Sequence, residues 1–378
     1  MKLNKILIIR TDRLGDCILS TPVIAALKSV NKNAIVDILT SPYTVDVFAD
    51  NPCVGDIIID DPSKHSVFSN EFRALIKKIA ARQYDICFIL HITARAALIP
   101  FLARIPVRVS PASKIYQFLS TARIRQKRSA CEFNEAEYNL DLIRRSCGID
   151  FKNQPPRLFY DQAAAGFADS YLNEILIELR NINYDEFKKS GRKLILVHPG
   201  SGGSAVNMSP HKYAELIERL YGCGYEIFLS TGPAEENLRE TILSKLSFRP
   251  LYYKNEIFMG GSALKKTFAL ISRCAAAIAP STGIMHAAAA LEKPVVALFC
   301  PIFVCAPRRW GPYMSASARI ITPDAVSSDK CNIINQKYCI KCSGMECKHY
   351  NCMDKIEIKE IIDKLNSIFI NAKSTIKV

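Results

Sequence analysis

Residues 279–291 read APSTGIMHAAAAL, and this stretch decides the fold. The residues before it, 274–279, form an apolar run with the character of a buried strand. Pro280 breaks that run, Ser281, Thr282 and Gly283 turn the chain, and the alanine-rich remainder has high helix propensity. A strand, a tight polar turn and a helix, in that order, aim unpaired backbone N–H groups and the positive end of a helix dipole at one point. Such a point binds phosphate, although the same order also serves as an ordinary connection in α/β proteins.

The pattern repeats on both sides. Residues 5–10, KILIIR, are nearly all apolar, as in a strand covered on both faces. A turn over 11–16 leads to a helix over 18–30, with Pro22 in its first turns, where proline is tolerated. Strands over 34–39, 56–59 and 85–90 alternate with helices over 45–49 and 71–82. From 94 to 150 the sequence predicts only helices, over 94–103 and 135–147. The alternation resumes with strands over 193–197, 226–229 and 295–299 and helices over 210–221, 235–246, 264–272 and 353–369. This predicts an α/β protein of two Rossmann-like domains facing across a cleft. The expected division is an N-terminal domain over 1–160, a connection over 161–192 and a second domain over 193–352. A C-terminal helix over 353–378 is expected to pack back on the N-terminal domain.

Hydrophobic residues make up 49% of the 378 and charged residues 23%, enough for two sizeable cores. The net charge of +14 implies an anionic partner. Seven cations, Arg104, Arg108, Lys114, Arg123, Arg125, Lys127 and Arg128, fall in one stretch without an acidic residue, with Tyr116 and Phe118 among them. That stretch reads as a solvated basic surface, or as one that meets an acceptor or a membrane. No secretory leader is expected, and the longest apolar candidate, 287–304, is broken by Glu292, Lys293, Pro294 and Pro301.

No G-x-G-x-x-G follows the first strand, so the usual dinucleotide fingerprint is missing. Instead Asp16 follows Gly15, a residue suited to a strained turn, at the start of a helix. Its carboxylate reads either as a helix N-cap or as a general base at the mouth of the sheet. In the second half, Pro199 to Ser204 is a Gly-rich turn whose amides, at Ser201, Gly202 and Gly203, suit an anion. Thr231, Gly232 and Glu235 form another turn. Glu235 would either accept from ribose hydroxyls or sit in a first helical turn for the dipole. His286 would donate to a phosphate or be structural. Three anion-compatible strand ends in one domain favour a nucleotide ligand.

Four blocks then carry a resemblance: KILIIRTDRLGDCILSTPVIAALK, LVHPGSGGSAVNMSPHKYAELI, PSTGIMHAAAALEKPVVALFCP and CIKCSGMECKHYNCMDKI. In this order they resemble glycosyltransferase family 9, the heptosyltransferase family of lipopolysaccharide core assembly. The resemblance implies a GT-B fold and an inverting, metal-independent transfer, from ADP-heptose for preference, to an anionic glycolipid or glycan acceptor. It puts the catalytic base on Asp16. It puts the donor site on Ser201, Gly202, Gly203, Glu235, Ser281, Thr282, Gly283 and His286, and the turn read above adds Thr231 and Gly232 to the expected donor contacts. Arg10 and Arg13 are the expected acceptor contacts. The expected location is the cytoplasm, peripheral on the inner membrane. No cofactor is expected for catalysis and no nucleic acid as partner. Two departures stand out: Ser281 replaces an Asp frequent in the family, and Val206-Asn207-Met208 stands where a Lys is usual. Arg10, Arg13 or Lys212 is the expected substitute for that Lys.

Of 14 cysteines, nine are scattered and five crowd the tail. Cys339, Cys342, Cys347 and Cys352, with Cys331 and His349 nearby, have soft-ligand spacing for a structural zinc or iron. A nucleotide-sugar epimerase of the same fold is the alternative enzyme. A basic nucleic-acid-binding protein with a metal-bound tail is the alternative outside enzymes, though no recognition helix adjoins that tail.

Overall fold

The computed structural model describes residues 3–203, 205–252, 263–323, 333–334, 338–340, 342, 347 and 351–375. The chain divides into two units, Met1–Phe159 and Tyr160–Val378. The first contains β1 (Lys5–Ile9), α1 (Leu14–Ile18), α2 (Thr21–Val30), β2 (Ile35–Thr40), α3 (Val45–Phe48), β3 (Ile57–Ile59) and α4 (Asn70–Ala81). It continues with β4 (Ile86–Ile89), α5 (Ala94–Leu102), β5 (Val107–Pro111), β6 (Ala122–Ile124) and α6 (Glu135–Cys147). Its sheet runs β3-β2-β1-β4-β5-β6, parallel throughout. Ile9 stands opposite Leu39 on one side and Ile89 on the other. With neighbours on both edges and helices on both faces, β1 and β4 bury their length, which is why 5–9 reads apolar almost throughout. The order reverses between β1 and β4, so the loops after these strands flank a switch point.

Two local expectations are corrected here. The single helix over 18–30 is two, because Pro22 lacks an N–H and fits the first turn of a new helix, α2. Gly15 lies inside α1 and is not a strained turn residue; its φ is not positive. Helix α6 is fixed by a capping box, Asn134 with Glu137, and ends at Gly148 in the left-handed region.

The second unit opens with α7 (Gln162–Arg180) and α8 (Tyr184–Lys189), then β7 (Leu194–Val197), α9 (Pro210–Gly222), β8 (Glu226–Leu229), α10 (Glu236–Leu243) and β9 (Leu251–Tyr252). There follow α11 (Ala263–Arg273), β10 (Ala276–Pro280), α12 (Gly283–Ala290), β11 (Val295–Leu298), α13 (Pro307–Trp310) and β12 (Ala318–Ile321). A short antiparallel pair, β13 (Ile333–Ile334) with β14 (Tyr338–Cys339), precedes α14 (Ile358–Thr375). The main sheet, β12-β11-β10-β7-β8-β9, is parallel and repeats the topology of the first, with its switch point between β7 and β10.

The stretch 161–192 is not a separate connection. Arg180 on α7 grips the fully buried Glu226 of β8 through two hydrogen bonds, 3.0 and 2.7 Å. Arg273 on α11 does the same to Asp169 of α7, at 2.7 and 3.0 Å. The C-terminal helix is also corrected. Ile361, Leu365 and Ile368 bury their side chains in the second unit's own core, with Ile217, Leu220 and Val296, rather than in the N-terminal domain. Their i, i+4, i+7 spacing gives α14 one apolar stripe, and that stripe is used there. Tyr225 anchors it further, donating to Asn366 at 2.5 Å. Among the described residues no helix is long and apolar enough to cross a membrane.

Candidate active site

Strand β1 delivers Arg10 straight into the interior of the first unit, where its side chain has no exposure. It meets Asp12 at 2.7 Å and Asp16 at 2.6 Å, lies 3.8 Å from Glu135 and donates to Asn139 at 3.4 Å. Burial opposes the guanidinium charge, but Asp12, Asp16 and Glu135 outweigh it, so Arg10 stays protonated. The expectation that Arg10 contacts an acceptor is therefore corrected: its donors face the protein's own carboxylates. Arg13 is exposed and is the N-cap residue of α1.

Asp16 is not an N-cap. It sits within the first turn of α1, and its carboxylate turns back to Arg10. Its side chain is 18% exposed. Burial pushes its pKa up to about 6; Arg10 pulls it down, and Asp12 and Glu135 push it up again. A carboxyl so poised changes protonation near neutral pH. The same Glu135 oxygen that lies near Arg10 is also held by Arg128 at 2.5 Å. His91, just beyond β4 across the switch point, has Nδ1 3.5 Å from Asp12. Burial lowers the His91 pKa, against the pull of Asp12. Asp12, His91, Glu135 and Asn139 were not singled out from the sequence. Only Asp12 shares a turn with Asp16; the rest are brought in by β4 and α6.

In the second unit the loop after β7 is organised by Glu235. Its carboxylate accepts from the amides of Ser201 at 2.9 Å, Gly202 at 2.8 Å and Gly232 at 2.7 Å. It lies so close to Gly200 that a Cβ there would collide with it, and Gly202 and Gly203 have φ of 52° and 74°. Of the amides expected to meet a donor anion, those of Ser201 and Gly202 thus meet the protein's own. Glu235, read as a ribose contact, has its carboxylate engaged by backbone. Burial works against its charge, but the Gly202, Gly232 and Ser201 amides and His198 overcome this and lower its pKa. His198 is buried beside Ser230, Nδ1 to Oγ 3.1 Å, and burial pushes it down to about 4. Thr231 is buried in the same turn. Lys212 faces Glu215 along α9 at 3.4 Å.

The turn after β10 is different. Ser281 follows the strand, and Thr282 is the extended N-cap residue of α12, φ −139° and ψ 172°, but makes no side-chain cap. Its Oγ1 is buried and, among the described residues, has no hydrogen-bond partner. Gly283 opens the helix. His286, one turn in, is buried, and burial pushes it down to about 4, so it is neutral at pH 7. An uncapped helix start with an unpartnered buried hydroxyl is an environment that lacks an acceptor.

The cysteine tail lies only partly within the described residues, and Cys352 interacts electrostatically with Cys342 and Cys347. Among the described residues no three His, Cys, Asp or Glu are grouped to hold a metal ion. Cys339 sits in β14, its amide donating to the Pro301 carbonyl at 2.6 Å, while Cys342 is exposed and Cys347 and Cys352 are half-buried. Cys331 and His349 lie outside the described residues. The sequence reading overlooked Cys300. A hydrogen bond from Cys305, with the Val206 and Ile302 amides, overcomes burial and brings its thiol down to about 7. No spacing rule would have found it.

The model of glycosyltransferase family 9 (heptosyltransferase) matches residues 72–349. A Haemophilus influenzae protein provisionally named a glycosyltransferase is 30% identical over 88% of this chain and 92% of its own length. Lipopolysaccharide heptosyltransferase 2 of Salmonella typhimurium is 26% identical over 84% of this chain and 87% of its own. The solved Escherichia coli ADP-heptose LPS heptosyltransferase II superposes with a TM-score of 0.72 at 21% identity, over 98% of this chain and 99% of that one. The chain belongs to glycosyltransferase family 9 and is a glycosyltransferase of the GT-B fold.

Proposed function

We propose that the protein transfers heptose from ADP-heptose to an anionic lipopolysaccharide-core acceptor with inversion at the anomeric carbon. Asp16 takes the proton of the acceptor hydroxyl as its oxygen attacks that carbon from the face opposite the leaving group. The bond to the diphosphate oxygen breaks, and ADP departs with its charge held at the first turn of α12, at Ser281, Thr282 and Gly283. His286, neutral, donates a hydrogen bond there. The Ser201–Gly203 loop, with Thr231 and Gly232, is shaped by Glu235 to border the donor. Arg13 is the cation open to the acceptor. The observation that carries the reading is Asp16 itself, a partly exposed carboxylate at the carboxyl end of β1 with its pKa raised toward neutrality by burial. The names of the relatives support heptose as the sugar.

Incubation with ADP-heptose and a lipid A–Kdo acceptor tests this. A product with inverted anomeric configuration by NMR, formed equally fast with EDTA, is the expected result. A retained configuration or a metal requirement would overturn it.

A further inference from the structure

The basic stretch, Arg128 apart, lies outside the active-site cluster and carries a second observation. Helix α5 ends with Phe101 and Leu102 exposed at 44% and 43%. The single 3-10 turn between β5 and β6, Ile115–Leu119, packs on α5 and exposes Ile115 at 78% and Phe118 at 67%. Four large apolar side chains standing in water within one packed pair of elements exceed the scatter normal on a surface. Arg108 binds them together: its guanidinium lies 5.6 Å over the Phe101 ring and donates to the Leu119 carbonyl at 2.8 Å. Arg104 directly follows the C-cap of α5 and Lys114 is the N-cap residue of the 3-10 turn; both are exposed, as are Arg123, Arg125 and Lys127 further along the chain. Among the described residues none of these five is paired with a carboxylate. β6 is one of the two edge strands of its sheet.

We propose that this surface is a membrane-docking face: Phe101, Leu102, Ile115 and Phe118 enter the headgroup region of a bilayer, and the neighbouring cations bind anionic lipid. Apolar side chains beside unpaired cations match such a surface, since burial and charge attraction then act together. A nucleic acid would use the cations and leave Ile115 and Leu102 without a role. The inference does not depend on the donor chemistry proposed above.

The test is co-sedimentation of the full chain with vesicles of equal parts phosphatidylglycerol and phosphatidylcholine, against pure phosphatidylcholine. The expected result is binding to the first, far above the second. Ile115→Ser with Phe118→Ser, both strongly exposed, should weaken partition about tenfold or more. Arg104→Glu with Lys114→Glu should weaken it at least about tenfold. Both variants should keep wild-type ADP affinity, which separates this result from any failure of the donor site. Equal binding to both vesicles, undiminished binding of the apolar variant, or binding to duplex DNA with none to vesicles would overturn the proposal.

Discussion

The turns after β1 and after β10 border the switch points of two sheets of the same strand order, from opposite sides of that point, yet they are built from opposite materials. The first gathers ionised side chains: one buried arginine with three carboxylates about it. The second offers backbone: an uncapped helix start, a neutral histidine and a hydroxyl without a partner. The topology fixes only where a ligand can approach, beyond the carboxyl ends at a switch point. What is done there follows from whether side chains or amides are presented. A proton acceptor needs a titratable group; a departing diphosphate needs fixed dipoles that cost no reorganisation.

Asp16→Asn attacks the first half of this contrast and carries the largest expected effect. It preserves shape and the Arg10 contact but removes the base, so turnover should fall about 10²–10⁴-fold while thermal stabilisation by ADP is unchanged. Undiminished turnover would end the assignment. Thr282→Val attacks the other half. Removing an unpartnered buried hydroxyl should leave the melting temperature level or higher. Affinity for ADP should fall about 10- to 100-fold if that hydroxyl meets a phosphate. Unchanged affinity, measured by calorimetry, would move the diphosphate elsewhere. Gly200→Ala forces a methyl against the Glu235 carboxylate and should cost about 1–3 kcal/mol in chemical denaturation, with weaker donor binding.

The mildest test is pH. Turnover over KM should rise through an inflection near pH 6 and level above it, as Asp16 ionises. Stability carries the opposite sign. Because the folded pKa is raised from 3.8 to about 6, the folded state holds a proton that the unfolded chain releases. The contribution of Asp16 to stability is therefore present below that window and lost as pH rises through it. Asp16→Asn should remove both trends.

The long, apolar and strongly periodic segments were legible from sequence. The two parallel sheets follow from runs such as 5–9 and 194–197, whose burial on both faces leaves no polar alternation. Strand β5 was missed because Arg108 and Ser110 interrupt its apolar residues and Pro111 ends it, and β6, β9 and β12 because these edge strands have only two to four residues, too few for a period to register, as at Leu251–Tyr252. The order of the site turns was readable, their internal partners less so. Nothing local says that Arg10 is inside; that depends on Glu135 and Asn139 arriving on α6, some 125 residues later. Nor does spacing reveal that Glu235 reaches back across 34 residues to Ser201.

That last contact has a kinetic consequence. A glycine-rich loop left to itself is loose, and a ligand that must first order it binds more weakly by that amount. Here an internal carboxylate already holds the loop in shape before any donor arrives. The entropy of arranging it is settled during folding, once, rather than at each catalytic cycle.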